Sequence, residues 1–215
     1  MSEERHPAGR LDPVSRLFGT DRGTPIDRYY IETFLKQHAH DVHGRVLEVG
    51  DATYTRQFGE QRVLQSDVLH AVAGNRKATI VGDLETGSNI PTGAFDCMIL
   101  TQVLPFLYDV RGAVNAIHQS LRSGGVALAT VPGISQISRY DMDRWGDFWR
   151  FTTLSVTRLF SDAFVGGTVE VKTHGNVLAA TSFLQGLASH ELSAADLDHV
   201  DPDYQLVITI RAAKA

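Results

Sequence analysis

The chain has 215 residues, 43% hydrophobic and 19 of them glycine, with a formal net charge of -5 at pH 7. That is enough apolar content for one sizeable core and too little for two, and the acidic balance supplies no basic field for a nucleic-acid backbone. No run approaches the roughly 20 apolar residues of a membrane span, and the first ten residues lack a signal-peptide apolar region.

Residues 1–24 are polar, with glycine, proline and arginine scattered among them and no apolar period, which predicts a flexible arm ahead of a single domain over 25–215. Pro25-Ile26-Asp27 has the make-up of a helix start, and Tyr30, Ile31, Phe34, Leu35 and His38 fall on one helical face behind it. Arg28 and Tyr29, in the first turns, either reach a ligand or pack at the surface. Residues 45–49 are a short apolar run stopped by Gly50, as expected of a buried strand feeding a turn.

Residues 62–68 and 78–84 read as the second and third strands, each with an aspartate near its end. The fourth is 95–103, and Cys97 within it reads as a buried thiol, which fits a reducing, cytoplasmic setting and excludes an intramolecular disulfide. Val110, Ala113, Val114, Ile117 and Leu121 follow at helical spacing, with Gly124-Gly125 past the helix end. The fifth strand, 126–131, is stopped by Pro132-Gly133. After a long irregular stretch, Val156, Leu159, Phe160, Ala163 and Phe164 mark a helix, 168–173 a sixth strand, 176–188 a helix, 196–203 an acidic connector and 205–212 a seventh strand. The alternation predicts an α/β fold, a seven-stranded, mostly parallel sheet with helices on both faces.

In such a sheet ligands bind outside the carboxyl ends of the strands. Glu48, Asp67 and Asp83 are expected to share one crevice there. A carboxylate ending the second strand offers two acceptor oxygens spaced for the hydroxyls of a ribose. With the glycine turn, the three acids point to a nucleoside-bearing cofactor.

These residues make the chain resemble the class I, Rossmann-like S-adenosylmethionine-dependent methyltransferases. The resemblance runs by motif from about Gly44 to Val131. Glu48-Val49-Gly50, with Asp51 next, matches the first motif, whose loop wraps the methionine half of the cofactor. By the same resemblance Asp67 holds the ribose, Asp83 and Leu84 flank the adenine, and Thr101-Gln102 forms the fourth motif; LRSGGVALATVPG resembles the stretch through the fifth strand. The first motif departs from the family: Ala52 and Tyr54 stand where its second and third glycines belong. Tyr54 is expected to line the cofactor site as a wall; a ring filling that site would instead mark an inactive, methyltransferase-like binding module.

Residues 133–151 hold Tyr140, Trp145, Phe148, Trp149 and Phe151 among charged residues, on the ligand side of the fifth strand. Structureless stretches this long are usually functional or disordered, and the aromatic content argues for function. The ending Asp147-Phe148-Trp149-Arg150-Phe151-Thr152 resembles methyltransferase domains that modify sugars and secondary metabolites. Methyl transfer to oxygen or nitrogen needs a lone pair aimed at the methyl group and often a base; His70, Tyr140 and Asp141 are the candidates. Asp141 and Asp143 make a poor cation site, and no metal is expected. The expected partner is a small-molecule acceptor, with neither nucleic acid nor membrane, and a homodimer is left open.

Overall fold

The computed structural model describes residues 11–215, so the expected arm is described only from Leu11 onward. Seven strands form one sheet: β1 (Gly44–Val49), β2 (Val63–His70), β3 (Ile80–Val81), β4 (Phe95–Thr101), β5 (Leu121–Pro132), β6 (Thr168–His174) and β7 (Val207–Ala213), in the spatial order β3-β2-β1-β4-β5-β7-β6. All pairings are parallel except those of β7 with β5 and β6. The order reverses between β1 and β4, and their carboxyl ends therefore open onto a crevice.

Side chains alternate across the sheet. Leu47, Met98, Leu100, Ala127 and Ile210 face one core with Ile117 of α2 (Val110–Ser120) and Phe160 of α4 (Thr153–Ala163). Val46, Cys97, Ile99, Leu128 and Val207 face the other, against α1 (Ile26–Gln37) and α5 (Val177–Leu184). Each of these helices begins where the sequence supplies a cap or a proline. Asp109 accepts the Gly112 N–H, Thr152 and Ser155 form a capping box, and Asn176 accepts the Ala179 N–H.

The expected helical cover is complete only at the sheet's centre. After β1 there is a five-residue π turn, Thr55–Gly59, and 71–79 between β2 and β3 holds no helix, so Leu64 on β2 is 88% exposed. Two short helices were not foreseen: α3 (Arg139–Met142) inside the long aromatic stretch and α6 (Ala194–Asp198) in and before the acidic connector.

Residues 11–24 lie over the body. The Val14 and Ser15 N–H groups donate to Gln185 O at 2.8 and 3.1 Å, the Phe18 ring packs 5.9 Å from Phe183, and Arg22 pairs with Glu191 at 2.5 Å. No helix of the described residues is long and apolar enough to cross a membrane.

Candidate active site

The turn leaving β1 is built around a buried carboxyl. Glu48 Oε1 accepts the Tyr54 N–H at 3.1 Å, and Oε2 accepts the Thr55 N–H and hydroxyl, both at 2.7 Å. Burial pushes its pKa up, against the pull of those hydrogen bonds. Glu48 therefore ties the turn together from below. Gly50, with φ +89°, needs the conformational freedom of glycine, and the space its side chain would take is open. Asn75 Nδ2 donates to Gly50 O at 2.8 Å, and Lys77 reaches Asp51 at 3.5 Å, so the 71–79 connection stitches this loop at the crevice rim. Burial pushes the Asp51 carboxyl up, but hydrogen bonds from Thr53 and Lys77 outweigh it and hold the group below its ordinary value.

Asp67 does not end its strand, contrary to the sequence expectation. It pairs in register with Leu47, three residues short of His70, and β2 runs on until the Gly50 N–H donates to Leu69 O at 3.0 Å. Its carboxylate is occupied within the sheet by Arg45 Nε at 2.8 Å, Thr79 Oγ1 at 2.8 Å and Gln65 Nε2 at 3.0 Å. The residue level with Gly50 is His70, which lines the crevice with its Nδ1 2.8 Å from Val72 O and its ring against Trp145 at 5.5 Å. His70 thus stands at the rim of the crevice, at the carboxyl end of β2.

Asp83 and Leu84 also line this end. Asp83 caps its own turn, accepting from the Glu85 N–H at 2.8 Å and the Thr86 hydroxyl at 2.9 Å, while Leu84 is buried beneath the crevice floor. At the end of β4, Gln102 has φ +56°, a left-handed conformation for a residue with a Cβ, held by its N–H to Thr130 O at 2.9 Å.

Two cavities meet at this point. The larger, about 420 Å³, lies over β1 to β4 between Gly50, His70, Leu84 and Trp145; the other, about 330 Å³, lies over β4, β5 and β7 beneath residues 18–28 and the 133–150 segment. Thr101, Gln102, Phe106 and Asp141 line both. Asp141 accepts the Ser138 hydroxyl at 2.6 Å, whereas Tyr140 next to it is 66% exposed, its ring under the Arg144 guanidinium at 3.6 Å. The expectation that Tyr140 faces the site with Asp141 is therefore not met, because successive residues of α3 point in different directions.

The segment is pinned by Asp147, whose side chain is 2% exposed. It accepts Arg150 Nη1 at 2.5 Å, Arg150 Nη2 at 3.0 Å and the Ser138 N–H at 3.0 Å, and Arg150 also donates to Gln136 O at 2.8 Å. Burial pushes the Asp147 carboxyl up, but these bonds win and hold it below its ordinary value.

Tyr54 belongs to the core on the α1 side, 7% exposed and stacked on Phe58 at 5.9 Å. Its hydroxyl accepts Arg28 Nη1 at 2.6 Å. The ring therefore neither walls nor fills the larger cavity. Arg28, for which the sequence left a ligand or the surface open, lines the smaller cavity; Asp27 beside it was passed over as a helix-start residue, and Pro25 at the N-cap was the available signal. Elsewhere, ligand atoms of His38, His40 and Asp41 lie within 4.8 Å of one another, but both Asp41 oxygens are held by Arg211 at 2.8 and 2.9 Å.

Residues 35–129 match the family model described as a methyltransferase domain. The match covers β1 to β5, and the sheet order is that of the Rossmann-like methyltransferase fold. No curated protein matches it in sequence. Among solved structures, it is similar to an S-adenosylmethionine-dependent methyltransferase from Mesorhizobium loti, with a TM-score of 0.58, 16% identity and coverage of 91% of this chain and 100% of that one. The N-methyltransferase NodS from Bradyrhizobium japonicum, solved with S-adenosylhomocysteine, gives a TM-score of 0.55 at 15% identity, covering 90% and 89%. The (4+2)-cyclase SpnF gives 0.56 at 16%, covering 86% and 80%.

Proposed function

We propose that this protein transfers a methyl group from S-adenosylmethionine to an oxygen or nitrogen atom of a small molecule, a sugar or natural-product intermediate. The observation that carries the reading is the junction of two cavities over Thr101, Gln102 and Asp141. A nucleoside cofactor lying between Leu84 and His70 brings its sulfonium to this junction, and an acceptor in the smaller cavity meets it from the far side. The second cavity is lined by carboxylates, amides and hydroxyls, with Phe18 and Phe106 as apolar faces, a composition suited to a polar molecule carrying a ring. The 133–151 segment forms the acceptor-side wall, and Asp141 is the group placed to orient the acceptor or take its proton. The cofactor itself supplies the electrophilic methyl group. The lone buried thiol fits a cytoplasmic setting.

A second reading is favoured by two features. With Ala52 and Tyr54 in place of glycines and Asp67 committed to Arg45, the fold could serve as a cofactor-free or non-methylating module. Isothermal titration with S-adenosylmethionine and S-adenosylhomocysteine separates the two. Micromolar binding supports the enzyme, and absence of binding to both supports the module. Release of S-adenosylhomocysteine with small hydroxylated and amine acceptors then tests the transfer.

A further inference from the structure

We propose that the smaller cavity takes a zwitterionic acceptor, an amino acid with a ring, holding its carboxylate on Arg28 and presenting its amine to Asp141. The fate of the amine rests on the methyl-transfer reading; the binding site rests on the cavity alone. Among the described residues four arginines are half-buried, and three of them pair with carboxylates: Arg45 with Asp67 at 2.8 Å, Arg150 with Asp147 at 2.5 Å and Arg211 with Asp41 at 2.8 Å. The fourth, Arg28, has no carboxylate within 4.0 Å among the described residues, and its side chain donates only to the Tyr54 hydroxyl at 2.6 Å. It lines the smaller cavity and not the larger one.

A guanidinium carries five N–H donors in a planar fork that matches a carboxylate. With one neutral partner and partial burial, Arg28 keeps donors for an anion that enters the cavity. The charges of the lining limit what that anion can be. Arg150, its other cation, is neutralised by Asp147, while Asp27 and Asp141 add two carboxylates with no cation within 4.0 Å among the described residues. A phosphate dianion would bring two negative charges to this lining. A carboxylate brings one, and an ammonium on the same molecule cancels it.

The amine has a defined place. Asp141 lines both cavities and accepts the Ser138 hydroxyl through Oδ2 at 2.6 Å, with no hydrogen bond to Oδ1 among the described residues. A molecule spanning Arg28 and Asp141 therefore points its amine at the larger cavity and its carboxylate away from it. Phe18 and Phe106 line the same space and offer faces to a ring. On the methyl-transfer reading, Asp141 takes one ammonium proton and the freed lone pair forms the N–C bond. The methyl C–S bond breaks with its electron pair left on sulfur.

The experiment titrates L-phenylalanine, phenethylamine, which lacks the carboxylate, and 3-phenylpropanoate, which lacks the amine, into the full chain with and without S-adenosylhomocysteine. Wild type, Arg28→Gln and Asp141→Asn are compared, with thermal melts in parallel. The expected result is phenylalanine binding to wild type roughly ten- to hundredfold tighter than either analogue, as for one charge-assisted pair each. Arg28→Gln should erase the advantage over phenethylamine, and Asp141→Asn the advantage over 3-phenylpropanoate. Arg28→Lys, which keeps the charge without the fork, should retain part of the first advantage, and it carries the comparison if Arg28→Gln does not fold.

Absence of phenylalanine binding, equal affinity for all three probes, or a preference that survives in Arg28→Gln would overturn the assignment. So would tighter binding of phenyl phosphate than of 3-phenylpropanoate, which would make the site a phosphate receptor. A loss of S-adenosylhomocysteine affinity in Arg28→Gln with phenylalanine binding intact would move Arg28 to the cofactor and overturn it as well. Phenylalanine binding with the expected preferences, in a wild type that does not bind S-adenosylhomocysteine, would remove the methyl-transfer reading and leave this site standing.

Discussion

Arg45 on β1 and Asp67 on β2 form an ion pair, Nε to Oδ2 at 2.8 Å, in the body of the sheet rather than at its ligand-binding edge. Asp67→Ala leaves the Arg45 guanidinium, the Thr79 hydroxyl and the Gln65 amide without their shared acceptor. We expect a loss of about 3 kcal/mol in unfolding free energy, the lower end of the range for breaking a buried pair because Arg45 is partly solvated. Urea unfolding reads this directly. S-adenosylhomocysteine affinity of the folded variant should stay within a few-fold of wild type; a collapse of affinity at normal stability would return Asp67 to the cofactor.

Tyr54→Phe and Tyr54→Ala should part company. The first keeps the ring on Phe58 and loses only the hydroxyl, so it should cost about 1 kcal/mol of stability or less. The second leaves a cavity in the α1-side core and should cost about 3 to 4 kcal/mol, as buried aromatic truncations do. Equal melting temperatures for Tyr54→Ala and wild type would contradict the buried placement.

Asp147→Asn removes the charge that gathers Arg150 and the Ser138 N–H. The 133–151 segment should loosen while the sheet remains intact, because no core residue moves. Limited trypsin digestion at Arg139 and Arg144 should accelerate several-fold in the variant, with a near-unchanged far-ultraviolet spectrum. Identical digestion rates would show that the aromatic contacts alone hold the segment.

Gln102 stores backbone strain at the junction of the cavities. Gln102→Gly relieves it, and the left-handed penalty of roughly 1 to 2 kcal/mol outweighs the chain entropy glycine adds, so the variant should be at least as stable as wild type. Methyl transfer should fall, since the side chain lining both cavities is gone. Chemical denaturation beside turnover measures both effects, and a clear loss of stability would refute the strain.

Acid should weaken the fold through its half-buried histidines. Burial lowers His174, which hydrogen-bonds Thr209 at 3.0 Å, to about 4, and it also lowers His38. With the folded pKa below the unfolded value near 6.5, the unfolded chain binds more protons between the two. Stability is therefore fully present above about pH 6.5 and falls as pH drops toward 4, with His174 contributing on the order of 2 kcal/mol. His174→Gln should flatten this part of the pH profile of urea unfolding; an unchanged slope would place the effect elsewhere.

The sheet was legible because β1, β4, β5 and β7 are apolar runs, β1 stopped by Gly50 and β5 by Pro132-Gly133, and every one of the seven strands is present. What local pattern could not give was depth along a strand. Asp67 looked terminal because Val68, Leu69 and His70 could as well begin a loop; only the pairing of β2 with β1 shows that they continue the sheet and put His70 at the rim. Tyr54 was misplaced for a related reason. Its position in the motif says where the backbone goes, but its direction was decided by Phe58 and Arg28, one of them 26 residues away. Tyr140 and Asp141 are neighbours that a four-residue helix sends apart, and that helix was hidden within a stretch of mixed aromatics and charges.

Glu48 has a consequence for which cofactors the crevice can refuse. In dinucleotide-binding folds the N–H groups opening the helix after the first strand receive a pyrophosphate, aided by the helix dipole. Here the Tyr54 and Thr55 N–H groups are already held by the protein's own carboxyl, and a five-residue π turn stands where a full helix would supply the dipole. A nicotinamide dinucleotide would bring its phosphates to spent donors beside an acidic group. Selection against phosphorylated nucleosides is thus set beneath the floor of the site, before any group that touches the adenine can act.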